Sequence, residues 1–222
     1  MISRSIKTAV FDLGGTLLTP KSGNWYLPEP VQAFLSKHHY TSAEVTRAIN
    51  YAKKEIQATV FVPSVIEEQQ LYYRFYQAML QKLFAENAVP PNTALEFATY
   101  RASATEQYRI NWEALEAIVP LRGTIRTVIF SNTWPSVIDF LRNEKVLEIF
   151  SCALFSCEVG LKKPDIRFFD LLQEKVCCKA EETVLYDDNE LIIDVGLRRG
   201  MLAKKITFSS LADEIRNDFM EG

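Results

Sequence analysis

Three separated stretches of the chain end a short apolar run on residues able to do chemistry. Asp12 follows Thr8-Ala9-Val10-Phe11, Ser131-Asn132 follows Thr127-Val128-Ile129-Phe130, and Asp187-Asp188 follows Thr183-Val184-Leu185-Tyr186. A single polar residue in such a place is ordinarily a helix cap. Three carboxylates, a hydroxyl and one basic residue exceed what capping requires. Carboxylates drawn together repel and raise one another's pKa unless a cation holds them. As a set they make a hard oxygen site suited to Mg²⁺, which typically takes one or two carboxylates plus a phosphate oxygen.

The apolar runs are short, β-branched and aromatic, and polar or glycine residues stop each of them: Gly14-Gly15, Ser131-Asn132 and Asp187-Asp188-Asn189. They read as buried strands. Residues 152–155 and 203–208 are weaker strand candidates. Segments 135–144, 165–175, 191–199 and 210–219 carry apolar residues at three-to-four spacing and read as helices. Strands alternating with helices imply right-handed βαβ units and a parallel sheet with helices on both faces. In such open sheets ligands bind beyond the carboxyl ends of the strands, where Asp12, Ser131 and Asp187-Asp188 would stand.

Residues 26–118 differ. They hold no convincing strand, and long amphipathic segments fill them at 42–59, 65–84 and 92–117, with Pro90-Pro91 separating two helices. The chain is therefore expected to be α/β. A Rossmann-like core comprises 1–22 and 119–222, and an all-helical cap is inserted at 23–118. Trp25 and Tyr26, where the chain leaves the core, would line the entrance to a site. The stripe Tyr72, Tyr73, Phe75 and Tyr76 reads as cap core. Lys53, Lys54 and Arg74 are candidate polar residues of the cap, and the pair His38-His39 is given no role.

The bulk properties exclude several classes. The 222 residues are 48% hydrophobic and 24% charged, with a net charge of −3. That is ordinary for a globular protein and offers no basic excess for nucleic acid. No apolar run has the length of a membrane span, and the first residues lack a signal-peptide pattern, which together point to the cytoplasm. Cys152, Cys157, Cys177 and Cys178 lack zinc-site spacing and read as reduced, mostly buried thiols. Gly14-Gly15 lacks the full glycine pattern of a dinucleotide loop.

Four motifs, in order, carry a resemblance. Val10-Phe11-Asp12-Leu13-Gly14-Gly15-Thr16-Leu17, Ser131-Asn132-Thr133, Gly160-Leu161-Lys162-Lys163-Pro164-Asp165 and Tyr186-Asp187-Asp188-Asn189 resemble the motifs of the haloacid dehalogenase-like (HAD) superfamily. The match covers residues 5–19 and about 120–208. The Asp-Leu-Gly form looks like a phosphatase subgroup that includes bacterial glucose-1-phosphatases. The resemblance implies Mg²⁺-dependent hydrolysis of a small phosphate monoester, with a sugar phosphate as a candidate substrate. Asp12 would be the nucleophile. Ser131 and the amide of Asn132 would bind phosphoryl oxygens, with Gly15 also at the substrate, and Lys163 would neutralise charge. Asp12, the carbonyl of Gly14, Asp188 and the auxiliary Asp187 would hold the metal. The expected partner is a small phosphorylated molecule, with no nucleic acid or membrane.

Two departures leave alternatives open. Most phosphatases of the superfamily carry an acid–base Asp where Gly14 stands, so a regulatory binding module or a phosphotransferase remains a second reading. Haloacid dehalogenases use the same aspartate without a metal and tend to carry an aromatic residue at that place. Leu191-Ile192-Ile193 also stand where an Asn or Asp often follows the metal aspartate.

Overall fold

Buried β-branched and aromatic side chains build the central sheet. In a computed structural model of the chain, residues 6–84, 89–103, 107–177 and 179–220 are described. The elements run β1 (Thr8–Phe11), β2 (Leu18–Pro20), α1 (Glu29–Ser36), α2 (Ser42–Ala52), α3 (Lys54–Ala58), α4 (Val65–Leu83), α5 (Thr93–Arg101) and β3 (Tyr108–Ile110). They continue with α6 (Trp112–Ile118), β4 (Arg126–Ser131), α7 (Pro135–Asn143), β5 (Cys152–Phe155), α8 (Ser156–Val159), α9 (Ile166–Val176), β6 (Thr183–Asp187), α10 (Glu190–Arg198), β7 (Leu202–Lys205) and α11 (Leu211–Phe219). Five strands form a parallel sheet in the order β5-β4-β1-β6-β7. This is a Rossmann-like α/β fold, as the alternation of strands and helices implies.

The side-chain alternation of the strands explains the two layers of helices. Val10, Val128, Phe130, Leu154 and Leu185 point to one face and pack on Phe168, Phe169 and Leu172 of α9 and Ile192 of α10. Ala9, Phe11, Ile129, Val184 and Tyr186 point to the other, where α6, α7 and α11 contribute Leu115, Val137 and Ile215. The same apolar cluster continues into the inserted helices through Leu71, Tyr72, Phe75 and Tyr76. Each large apolar side chain buried there is worth about 1.5–3 kcal/mol relative to exposure.

Register brings the polar strand ends together. Phe11 is paired with both Ile129 and Tyr186, so Asp12 emerges beside Asp187, and the Asp12 N–H donates to the Tyr186 carbonyl at 3.0 Å. From β1 the chain runs to β4 and β5 on one flank and then crosses to β6 and β7 on the other. That is a topological switch point, where open sheets form their crevice.

Four expectations need correction. The stretch expected to hold no strand contains β3, which pairs antiparallel with β2, Leu18 opposite Ile110 and Pro20 opposite Tyr108. Three residues are too few to show a period-two pattern, and the pairing depends on a partner some ninety residues earlier. The expected helix over 92–117 is consequently two. Asn111 restarts it as the cap of α6, its side chain accepting from the Ala114 N–H at 3.1 Å while its amide donates to the Thr16 carbonyl at 3.3 Å. The segment 42–59 is likewise divided at Lys53 into α2 and α3. Among the thiols Cys157 is buried and Cys152 half-buried, but Cys177 is exposed at the end of α9, where its φ of 48° ends the helix. Cys178 and residues 1–5 lie outside the described residues.

Candidate functional site

Lys163 organises the strand ends. Its ammonium sits 2.5 Å from Asp12 Oδ1 and 2.6 Å from Asp187 Oδ2, with all three side chains buried. Its backbone is fixed by Asn132. The Lys163 N–H donates to Asn132 Oδ1 at 2.7 Å, and Asn132 Nδ2 donates to the Lys163 carbonyl at 2.9 Å. The loop carrying Lys163 is thereby tied to the end of β4. The second oxygen of Asp187 is also occupied, accepting the Asn189 N–H at 2.9 Å. Asp187 is thus held by the protein on both oxygens, whereas among the described residues no side chain pairs with the exposed Asp188.

Gly15 explains how Asp188 comes so near. Its φ is +83°, and a Cβ at this position would lie 2.1 Å from Asp188 Oδ2. Only glycine gives the carboxylate this space. Asp12, Asp187 and Asp188 then present oxygens within 4.8 Å of one another. Three carboxylates face one ammonium, an excess of two negative charges. Burial, reinforced by Asp187 and Asp188 and opposed by Lys163, pushes the Asp12 carboxyl up to about 6. Burial, followed by the neighbouring Asp187, also raises Asp188 above the usual carboxylate range. The uncompensated charge and the all-oxygen donor set fit a hard divalent cation. No carboxylate follows Asp188 on the inner side of α10, where Ile192 and Ile193 are buried instead.

A cavity of 240 Å³ is lined by Leu13 and Gly14, the two residues that follow Asp12 in the chain. Gly14, Ser131 and Asn132 line one part of it, and Trp25, Tyr26, Tyr72 and Trp134 supply aromatic walls. Trp25 and Tyr26 therefore stand where the sequence expected them. Tyr72 belongs both to the core and to the cavity wall. The Trp25 ring closes over Gly14, and a Cβ on Gly14 would meet it at 3.4 Å.

The inserted helices hold two functional candidates that the sequence did not single out. Glu68 on α4 is fully buried. Its Oε2 accepts the Ser136 N–H at 2.8 Å and its Oε1 accepts the Ser136 hydroxyl at 2.7 Å, in the first turn of α7. Arg101, at the end of α5, is buried and lines the cavity. Lys53, Lys54 and Arg74 are not among the lining residues, and Arg74 pairs with Glu55 at 2.7 Å on the surface. Glu68 lies beside Glu67, Gln69 and Gln70, where nothing local marks it as buried, and nothing local distinguishes Arg101.

No family model matches the sequence, and no curated protein matches it. Solved structures do. A HAD family enzyme from Bacteroides thetaiotaomicron in complex with magnesium has a TM-score of 0.61 at 17% identity, over 92% of this chain and 94% of that one. A 2-haloacid dehalogenase from Pseudomonas syringae pv. Tomato has a TM-score of 0.58 at 15% identity, over 96% and 98%. A predicted HAD-like family hydrolase from Porphyromonas gingivalis has a TM-score of 0.57 at 19% identity, over 98% and 100%. At such identities the likeness is one of fold: the chain has the α/β architecture shared by these HAD-family structures. Among the described residues no helix is long and apolar enough to cross a membrane.

Proposed function

We propose that the protein is a Mg²⁺-dependent hydrolase of small phosphate monoesters that works through an aspartyl phosphate on Asp12. One observation carries the reading: a buried nucleophilic carboxylate lies in a three-carboxylate cluster whose charge a single lysine does not balance. Asp12 and Asp188, with the Gly14 carbonyl, would hold the ion, and Asp187 would act chiefly by anchoring Lys163. When bound, Mg²⁺ supplies charge compensation and polarises phosphoryl oxygens.

The chain's own groups do the rest. Asp12 attacks phosphorus, a new P–O bond forms, and the ester P–O bond to the leaving oxygen breaks. Lys163 neutralises charge on the nucleophile and the phosphoryl group. Ser131 and the Asn132 N–H orient the phosphoryl oxygens. Gly14 carries no proton donor, and the cavity lining contains no carboxylate, histidine or thiol among the described residues. The leaving oxygen therefore takes its proton from water. A second water cleaves the aspartyl phosphate, which releases inorganic phosphate and restores Asp12. Absence of an acid–base residue removes a contribution typically about 10²–10⁴-fold, so turnover is expected to be slow with poor leaving groups.

The test is phosphate release from a panel of phosphate monoesters, with Mg²⁺ and with EDTA, by wild type and Asp12→Asn. Metal-dependent release that Asp12→Asn abolishes is expected. Absence of release by folded wild type would overturn the reading in favour of a binding module. Trp25 favours one further possibility, because it sets an aromatic ring against Gly14, the place where haloacid dehalogenases tend to carry one. Halide release from 2-haloacids that survives EDTA would establish that alternative.

A further inference from the structure

We propose that Arg101 is the specificity-determining residue of this site and receives a carboxylate at the end of the substrate remote from phosphorus. The assignment rests on the phosphohydrolase reading above. Arg101 is 2% exposed, yet it lines the same cavity as Gly14 and Ser131. Among the described residues it is the one cationic side chain in that lining.

Its hydrogen bonding is incomplete. Nη1 donates to the Tyr108 hydroxyl at 2.7 Å, and the guanidinium lies over the Tyr72 ring at 4.5 Å. Glu68 is its nearest carboxylate, but at 3.7 Å it stands beyond hydrogen-bond reach. Both Glu68 oxygens are engaged by Ser136. The remaining N–H groups of Arg101 have no acceptor among the described residues. These donors are not sealed in the interior, since the buried unpartnered side-chain atoms among the described residues are Thr16 Oγ1 and Arg199 Nε, so they stay open to an arriving acceptor. The planar fork matches a carboxylate with two parallel bonds. Stacking on Tyr72 and the bond to Tyr108 hold that fork in place beforehand. At 240 Å³ the cavity is smaller than the roughly 300–1,000 Å³ typical of drug-sized ligands.

The test uses a matched pair of non-hydrolysable probes, 3-phosphonopropionate and propylphosphonate, which differ at the terminal carboxylate. Their binding is measured with Mg²⁺ present, by calorimetry and by tryptophan fluorescence, since Trp25 and Trp134 line the cavity. Wild type is expected to prefer 3-phosphonopropionate by about 30-fold, the scale of a buried charge-paired hydrogen bond. Arg101→Met should erase the preference by weakening 3-phosphonopropionate far more than propylphosphonate, and retained propylphosphonate binding certifies the fold. If Arg101→Met does not fold, Arg101→Lys keeps the charge but loses the fork, and its preference should fall several-fold. Equal affinity of wild type for the two probes overturns the assignment alone. Equal loss of both probes in a folded Arg101→Met, or an undiminished preference in Arg101→Lys, also overturns it. Binding of neither probe by wild type sinks the phosphate site along with it.

Discussion

Two clusters among the described residues bury a cation against acidic groups, and they are built on opposite plans. At the strand ends Lys163 is outnumbered, lying within 2.6 Å of both Asp12 and Asp187, with Asp188 close by. Among the inserted helices Arg101 faces a single carboxylate at 3.7 Å and keeps donors to spare. The first cluster is short of positive charge and the second is short of acceptors. Each deficit names what the site would take: a divalent cation at one end and an oxyanion at the other. A phosphate monoester bearing a carboxylate would join the two.

Substitutions grade this contrast. Lys163→Met should have the largest effect on stability, about 3–5 kcal/mol, because it strands buried carboxylates without their partner. Chemical denaturation would measure it, and added Mg²⁺ should restore more stability to this variant than to wild type. A loss no larger than that of a surface pair would show that the lysine does not hold the cluster. Glu68→Gln comes next. It turns one of two acceptors for Ser136 into a donor, and a cost of about 1–3 kcal/mol is expected.

That same position carries a pH signature. Burial raises the Glu68 carboxyl above its ordinary 4.5, against the lowering influence of Arg101 and Ser136. A carboxyl raised on folding contributes stability that is present in full below its unfolded pKa. The contribution is lost as pH rises through the folded value. The advantage of wild type over Glu68→Gln should therefore shrink as pH increases from about 4.5 upward. A constant difference would contradict the burial argument.

Gly15→Ala should cost about 1–2 kcal/mol for its left-handed backbone. It should also weaken Mg²⁺ binding, since the new methyl group displaces the Asp188 carboxylate. Titration of the metal separates that effect from simple destabilisation. Arg74→Ala should cost at most about 1 kcal/mol, because its pair with Glu55 is half exposed on both sides. A larger loss would erase the distinction between buried and surface pairs on which the comparison depends.

The two clusters were not equally legible in the sequence. Asp12, Ser131 and Asp187-Asp188 each close a run of β-branched and aromatic residues, so hydrophobic patterning and chemistry marked the same positions. The parallel sheet and its flanking helices could be read from that alternation alone. Glu68 has no local mark of burial, which follows from where α7 begins, far along the chain. Arg101 closes an ordinary helix, and β3, which supplies Tyr108 beside it, is too short to register as a strand. Asn132 was visible as a motif residue. Its side-chain clasp on the Lys163 backbone depends on a long-range meeting of two loops and was not. Local pattern reveals residues that a strand delivers to the site, but not those that reach it by packing.

The central position of β1 also sets an order of assembly during synthesis. Its neighbours in the sheet begin at Arg126 and Thr183, so the strand bearing Asp12 leaves the ribosome long before either partner exists. Helices α2, α4 and α5, by contrast, pack on one another within a contiguous stretch of the chain. Local contacts of that kind form early, whereas distant strand pairing is slow. The nascent chain must therefore carry an unpaired, largely apolar strand at least until Arg126–Ser131 has been made. That interval is when a holding chaperone would matter most to this protein.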